Sequence, residues 1–161
     1  MPVWLRTLIF TFVVPGTFAV YLPYSIIVFE KGAYIPAGDW WWIGVVPLTL
    51  GLAGYTWCAW DFTFAGRGTP LPIDAPRKLV VRGLYRYARN PMYVSVWCVM
   101  LAQTVLFASR NMLLYTLSFA VAFHLFVLLY EEPTLRERFG SDYDHYCRRV
   151  PRWLPRLNAD H

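Results

Sequence analysis

Four stretches without a formal charge set the plan of the chain: residues 7–29, 40–60, 90–109 and 111–130, of 23, 21, 20 and 20 residues. They are mostly apolar, and about 20 such residues is the length a helix needs to cross the hydrocarbon core of a bilayer. All 25 charged side chains fall between or outside them. The pattern predicts an all-α membrane protein with four transmembrane helices, at about 5–29, 40–64, 91–108 and 111–131. A cytosolic loop then covers 65–90 and a cytosolic tail 132–161, and residues 1–161 form a single integral membrane domain.

Composition sharpens this. Hydrophobic residues make up 57% of the chain and charged ones 16%, against about 25% charged in ordinary soluble domains. That excludes a soluble domain, a disordered chain and a nucleic-acid-binding module as the source of the net charge of +5. The first apolar run is too long for the core of a signal peptide and shows no small-residue cleavage site before Glu30, so it is expected to be a retained helix. Three scattered cysteines, Cys58, Cys98 and Cys147, do not make a disulfide framework. Cys147 with His145 reads as solvent-side filler, and no metal site is expected.

Lys and Arg choose the orientation. With four spans, the N-terminus, the middle segment and the tail share one side and carry 13 of the 15 basic residues. The positive-inside rule makes that side cytoplasmic, with both termini inside. Pro15, Pro23 and Pro47 predict kinks, and Gly44, Gly51 and Gly54 predict close packing of the second span. The same small residues permit a homodimer without requiring one. Trp40, Trp41 and Trp42 suit an interfacial belt. Only Ser109, Arg110 and Asn111 separate the last two spans, so these form a tight hairpin whose far ends bring Asn90–Tyr93 close to Tyr130–Glu132.

Candidate chemistry gathers on the cytoplasmic side. Lys78–Asn90 interleaves Leu79, Val80, Tyr85 and Tyr87 with basic residues. A plain anionic-lipid contact explains the charges but not tyrosines running into Asn90-Pro91-Met92-Tyr93 at a helix start, where Pro91 suits the first turn. Glu131 and Glu132 stand at the end of the fourth span, with His124 seven residues earlier on the face of Glu131. Polar groups at that depth are costly and usually face an interior. The tail reads as two short helices, Pro133–Phe139 ending at Gly140 and a second starting near Ser141. In the second, Tyr143, Tyr146, Cys147 and Val150 share a face that either lies on the inner leaflet or closes a pocket from below.

Taken together, Gly83-Leu-Tyr85, Arg89-Asn-Pro-Met-Tyr93, Glu131-Glu132 and Phe139-Gly140-x-x-Tyr143-x-x-Tyr146-x-x-x-Val150-Pro151 resemble the isoprenylcysteine carboxyl methyltransferase and phospholipid methyltransferase superfamily. The resemblance covers residues 66–157. It implies a polytopic enzyme that binds S-adenosylmethionine in a cytosolic pocket closed by the helical tail, without a dinucleotide-type fold; no Gly-x-Gly-x-x-Gly occurs in the chain. Lys78, Leu79, Val80 and Tyr85 then correspond to cofactor contacts in the loop, Asn90, Pro91, Met92 and Tyr93 to a second contact segment, and Glu131 to an acidic contact, with His124 counted beside it. Glu131 can pair with the cofactor ammonium, and Lys78 or Arg89 with its carboxylate. Tyrosine faces can attract the sulfonium at about 0.5–2 kcal/mol.

The acceptor implied is a lipid or lipidated small molecule in the membrane. If it is a carboxylate, as in the isoprenylcysteine enzymes, Arg89 and Arg149 are the candidate holders. If it is a phospholipid amine, Glu132 is the candidate base. The chain departs from the isoprenylcysteine pattern in reading Arg89-Asn90-Pro91 for Arg-His-Pro. It also lacks an arginine near the end of the helix before the paired glutamates, where residues 123–130 offer His124. Asn90-Pro-Met-Tyr93 and Leu128-Leu-Tyr-Glu-Glu-Pro133 look like the N-methylating enzymes, whereas the tail looks like the isoprenylcysteine ones. Two readings of other classes are a sterol-reductase-like oxidoreductase and a non-catalytic membrane scaffold. A nicotinamide and S-adenosylmethionine titration separates all three.

Overall fold

The structure, a computed structural model, describes residues 2–30, 41–66 and 79–155. Lys78, Trp40 and most of the Pro- and Gly-rich part of the middle segment lie outside the described residues. Those described are helical or irregular, with no strand among them. Helix α1 spans Val3–Phe29, α2 Trp41–Asp61, α3 Pro91–Phe107, α4 Arg110–Phe139 and α5 Ser141–Arg149. Three helical stretches are long and apolar enough to cross a membrane: α1, Trp41–Phe64 and α4. At 17 residues α3 is apolar but shorter.

The prolines are accommodated by widening two helices rather than ending them. A π turn over Thr17–Tyr21 lies inside α1 and another over Val127–Glu131 inside α4. Pro23 has no N–H for the Ala19 carbonyl, and Gln103 Nε2 of α3 donates to that carbonyl instead at 2.7 Å. The Tyr115 hydroxyl donates to the Phe18 carbonyl at 2.7 Å. The irregular turn of α1 is therefore a docking point for α3 and α4. In α4 the π turn carries the chain past Pro133, so α4 runs on to Phe139 where the sequence predicts a break and a separate tail helix. Around Pro47, α2 stays α-helical.

Helices α2 and α3 pack most closely, through the glycines of α2. A Cβ on Gly51 would come within 2.6 Å of the Ser95 carbonyl oxygen, and one on Gly54 within 2.5 Å of the Ser95 hydroxyl. Between α3 and α4 the turn is as short as expected: Ala108 adopts φ 45° and Ser109 caps α4 by accepting from Met112 N–H at 3.0 Å. Glu30, at the end of α1, accepts from the Ser109 hydroxyl at 2.5 Å and from Asn111 N–H at 3.4 Å. The carboxylate also faces the positive end of α4.

Candidate functional site

At the opposite end of the bundle, residues 79–90 and the tail are tied into one layer. A turn of 3₁₀ helix, Gly83–Arg86, buries Tyr85 against Cys58 and Val80. The Tyr146 hydroxyl of α5 donates to the Tyr85 carbonyl at 2.7 Å. Arg89 N–H donates to the Pro151 carbonyl at 2.9 Å and Asn90 Nδ2 to the Arg152 carbonyl at 3.2 Å. The inward face of α5 is the one expected: Tyr143, Tyr146 and Val150 are buried and pack on Leu79, Leu135, Phe139 and Cys147. It covers protein rather than a leaflet. Burial pushes the Tyr85 and Tyr146 phenols above their ordinary values, so both stay protonated.

The ionic centre of this layer is Glu132. Its side chain is 3% exposed and accepts from Arg152 Nε at 2.6 Å and Arg152 Nη2 at 3.1 Å; Arg89 Nη1 lies 3.0 Å away and Arg136 Nη2 3.8 Å. The hydrogen bond to Glu132 raises the Arg152 guanidinium further above its ordinary value. Arg89 also donates to Cys147 Sγ at 2.8 Å, while its Nε is buried without a hydrogen-bond partner.

One helical step away, Glu131 faces elsewhere. Its Oε2 accepts from the Tyr93 hydroxyl at 2.8 Å, tying α3 to α4 at the open end of their hairpin, away from the short turn. Glu131, Tyr93, Tyr85, Arg89, Asn90 and Met92 line one small cavity of about 70 Å³, with Phe10 and Phe62 as its apolar side. On the far side of Tyr93 lies a second cavity of about 300 Å³, almost wholly apolar, walled by Val94, Trp97, Phe123, His124 and Trp153 among others. There His124 Nδ1 accepts from Trp153 Nε1 at 3.1 Å.

Of the residues singled out in the sequence, Tyr85, Asn90, Met92, Tyr93, Glu131 and Arg89 come together at the small cavity. Pro91 is buried at the first turn of α3, and Val80 is buried with Cys58 and Tyr85. His124 lines the second cavity and Glu131 the first, with Tyr93 common to both. Leu79 and Arg149 line an open groove of about 630 Å³ with Val81, Asp142 and His145; Arg149 is not among the residues lining the small cavity. Sequence reasoning missed Arg152 and Trp153, which follow Pro151 in a tail with no periodic signal. It also missed Asp61, buried at the end of α2, whose Oδ1 lies 3.0 Å from Arg82 Nε and whose Oδ2 has no partner.

A model of the phospholipid methyltransferase family matches residues 40–142, which takes in α2, α3, the Glu131–Glu132 pair and the start of α5. The chain belongs to this family. Two curated relatives differ in what their names describe. The chain is 31% identical over 131 residues to protein-S-isoprenylcysteine O-methyltransferase B of Arabidopsis thaliana, covering 73% of this chain and 62% of that protein. It is 30% identical over 126 residues to the nickel-cobalt-cadmium resistance protein NccN of Alcaligenes xylosoxydans xylosoxydans, covering 73% of this chain and 54% of that protein. The chain thus spans little more than half to three-fifths of the length of these relatives. No solved structure matches it significantly. The family and the plant relative's name are those of methyltransferases, and three apolar helices fit a multi-pass membrane protein.

Proposed function

We propose that this family member transfers a methyl group from S-adenosylmethionine to a lipid-like acceptor at the membrane–cytosol boundary, a carboxylate O-methylation of the isoprenylcysteine type. In this reading α1 to α4 are four spans, both termini are cytoplasmic, and residues 1–161 act as one domain. The observation that carries it is the lining of the small cavity. A carboxylate, a guanidinium with a spare buried N–H and two tyrosine rings meet there, next to an apolar space reached past Tyr93.

The residues fit the amino-acid end of the cofactor. One oxygen of Glu131 is free of Tyr93 and suits an ammonium, and Arg89 Nε suits a carboxylate. Tyr85 and Tyr93 offer ring faces to a sulfonium. At about 30 Å³ per water-sized group, a cavity of about 70 Å³ takes only that end. Leu79 and Val80, with Lys78 before them, are proposed to border the nucleoside once the tail moves outward. Bound there, with Glu131 and Arg89 holding its amino-acid end, the cofactor would give its electrophilic methyl group to an acceptor oxygen and keep the electron pair of the broken S–CH₃ bond on sulfur. A carboxylate needs no proton removed, so the residues have only to bind, align and exclude water.

Glu132 is assigned a positioning role: with three arginines around it, it is poorly placed as a base and well placed to hold Arg89 and the tail. Arg149, in the open groove, is retained as a candidate acceptor contact from the tail. The test is transfer of radiolabelled methyl from S-adenosylmethionine into a membrane lipid extract and into an S-prenylcysteine peptide. A base-labile methyl ester is expected. A base-stable N-methyl product would establish the amine reading instead, and reduced-nicotinamide binding without S-adenosylmethionine binding would establish the oxidoreductase.

A further inference from the structure

The apolar cavity behind Tyr93 has one polar side-chain atom to spare among the described residues. Four others in its wall are committed: the Tyr93 hydroxyl donates to Glu131, Trp97 Nε1 to the Thr116 carbonyl at 3.3 Å, and Trp153 Nε1 to His124 Nδ1 at 3.1 Å, which engages both of those nitrogens. An indole nitrogen only donates, so Nδ1 must accept, and the neutral imidazole then carries its proton on Nε2. Nε2 forms no hydrogen bond among the described residues, yet it is not one of the buried polar atoms lacking a partner. It therefore opens on accessible space. Trp153, a tail residue, both walls the cavity and fixes the tautomer.

Resting on the methyl-transfer reading, we infer that this cavity takes the chain of a single-chain lipid acceptor and that His124, oriented by Trp153, selects an oxygen-bearing head group through Nε2–H. About 300 Å³ holds about ten methylene-sized groups at about 30 Å³ each. The aromatic walls alone would accept a cation as readily as an alkyl chain. The N–H donor decides against one: an ammonium meeting it in a low-dielectric wall is repelled, whereas a carboxylate or carbonyl oxygen is bonded. Glu131 is hydrogen-bonded to the Tyr93 hydroxyl and lines the other cavity, not this one.

The probes are decanoate and decylamine, radiolabelled and displaced by excess unlabelled amphiphile, with the full-length protein in nanodiscs; S-adenosylmethionine affinity is measured on the same samples. The wild type should prefer decanoate by about tenfold or more. His124→Leu should lose that preference by weakening decanoate alone. Trp153→Phe, which keeps a ring but frees the tautomer, should fall between, and His124→Gln, which keeps an N–H donor, should retain most of the preference. Cofactor affinity should not change in any of them. Unchanged decanoate affinity in a folded His124→Leu protein overturns the assignment, as does a parallel loss of cofactor affinity, which would move His124 to the cofactor. Failure of the underlying reading looks different: wild-type protein that does not bind S-adenosylmethionine at all.

Discussion

Glu131 and Glu132 are neighbours in the chain with opposite surroundings. Glu131 is half-buried beside a tyrosine hydroxyl and two cavities' shared wall; Glu132 is buried among guanidinium groups. Removing a buried partner leaves the opposite charges uncompensated, which costs about 3–5 kcal/mol. Glu132→Ala should therefore lower the thermal midpoint markedly and make the tail after Gly140 susceptible to limited proteolysis. A midpoint within error of wild type would show that the ion cluster does not hold the tail. Gly83 makes a second test. It has φ 57°, and an added Cβ would fall on the Asp61 carboxylate. Gly83→Ala should destabilise by at least the left-handed penalty of about 1–2 kcal/mol, read from chemical denaturation in detergent. The pairing of Glu131 with Asn90–Tyr93 was legible in the sequence because a three-residue turn forces the two helix ends together. Arg152 was not: a single arginine beyond a proline has no pattern to announce which carboxylate it meets.

At the scale of elements, the three long apolar helices were legible because exclusion of charge over about 20 residues is a strong requirement. At 17 residues, α3 is apolar but shorter than the span expected. The π turn of α1 was not legible, since it depends on partners distant in sequence. Gln103 and Tyr115 take up the Ala19 and Phe18 carbonyls from other helices, and nothing near Pro23 says so. In α4 the Tyr130 carbonyl is taken up locally, by the Thr134 hydroxyl at 2.7 Å, and Pro133 by itself reads as a break. The α2–α3 contact yields a graded prediction. At Gly51 an added Cβ meets backbone, the Ser95 carbonyl; at Gly44 it first meets side chain, Cγ and Cδ2 of Leu106. Overpacking typically costs about 1–3 kcal/mol, so Gly51→Ala should sit near the top of that range and Gly44→Ala near the bottom. Equal midpoints for the two variants would contradict the packing described.

For the whole molecule, residues 79–90 and 140–155 occupy one end of the bundle, tied together at Arg89, Asn90 and Tyr146. Glu30 and Ser109 mark the other end. The positive-inside rule then predicts that a reporter fused after His161 is active in the cytoplasm; activity only outside would invert the topology. The cavity lined by Glu131 would then face the wrong side for a cytosolic cofactor.

The central claim is that this cavity binds S-adenosylmethionine through Glu131. Calorimetry on the purified protein tests it most directly. Saturable binding is expected, weakened about tenfold or more in Glu131→Ala, in line with about 1.5–3 kcal/mol for a hydrogen bond to a charged group, while the thermal midpoint shows the variant folded. Wild-type affinity in a folded Glu131→Ala protein would contradict the account.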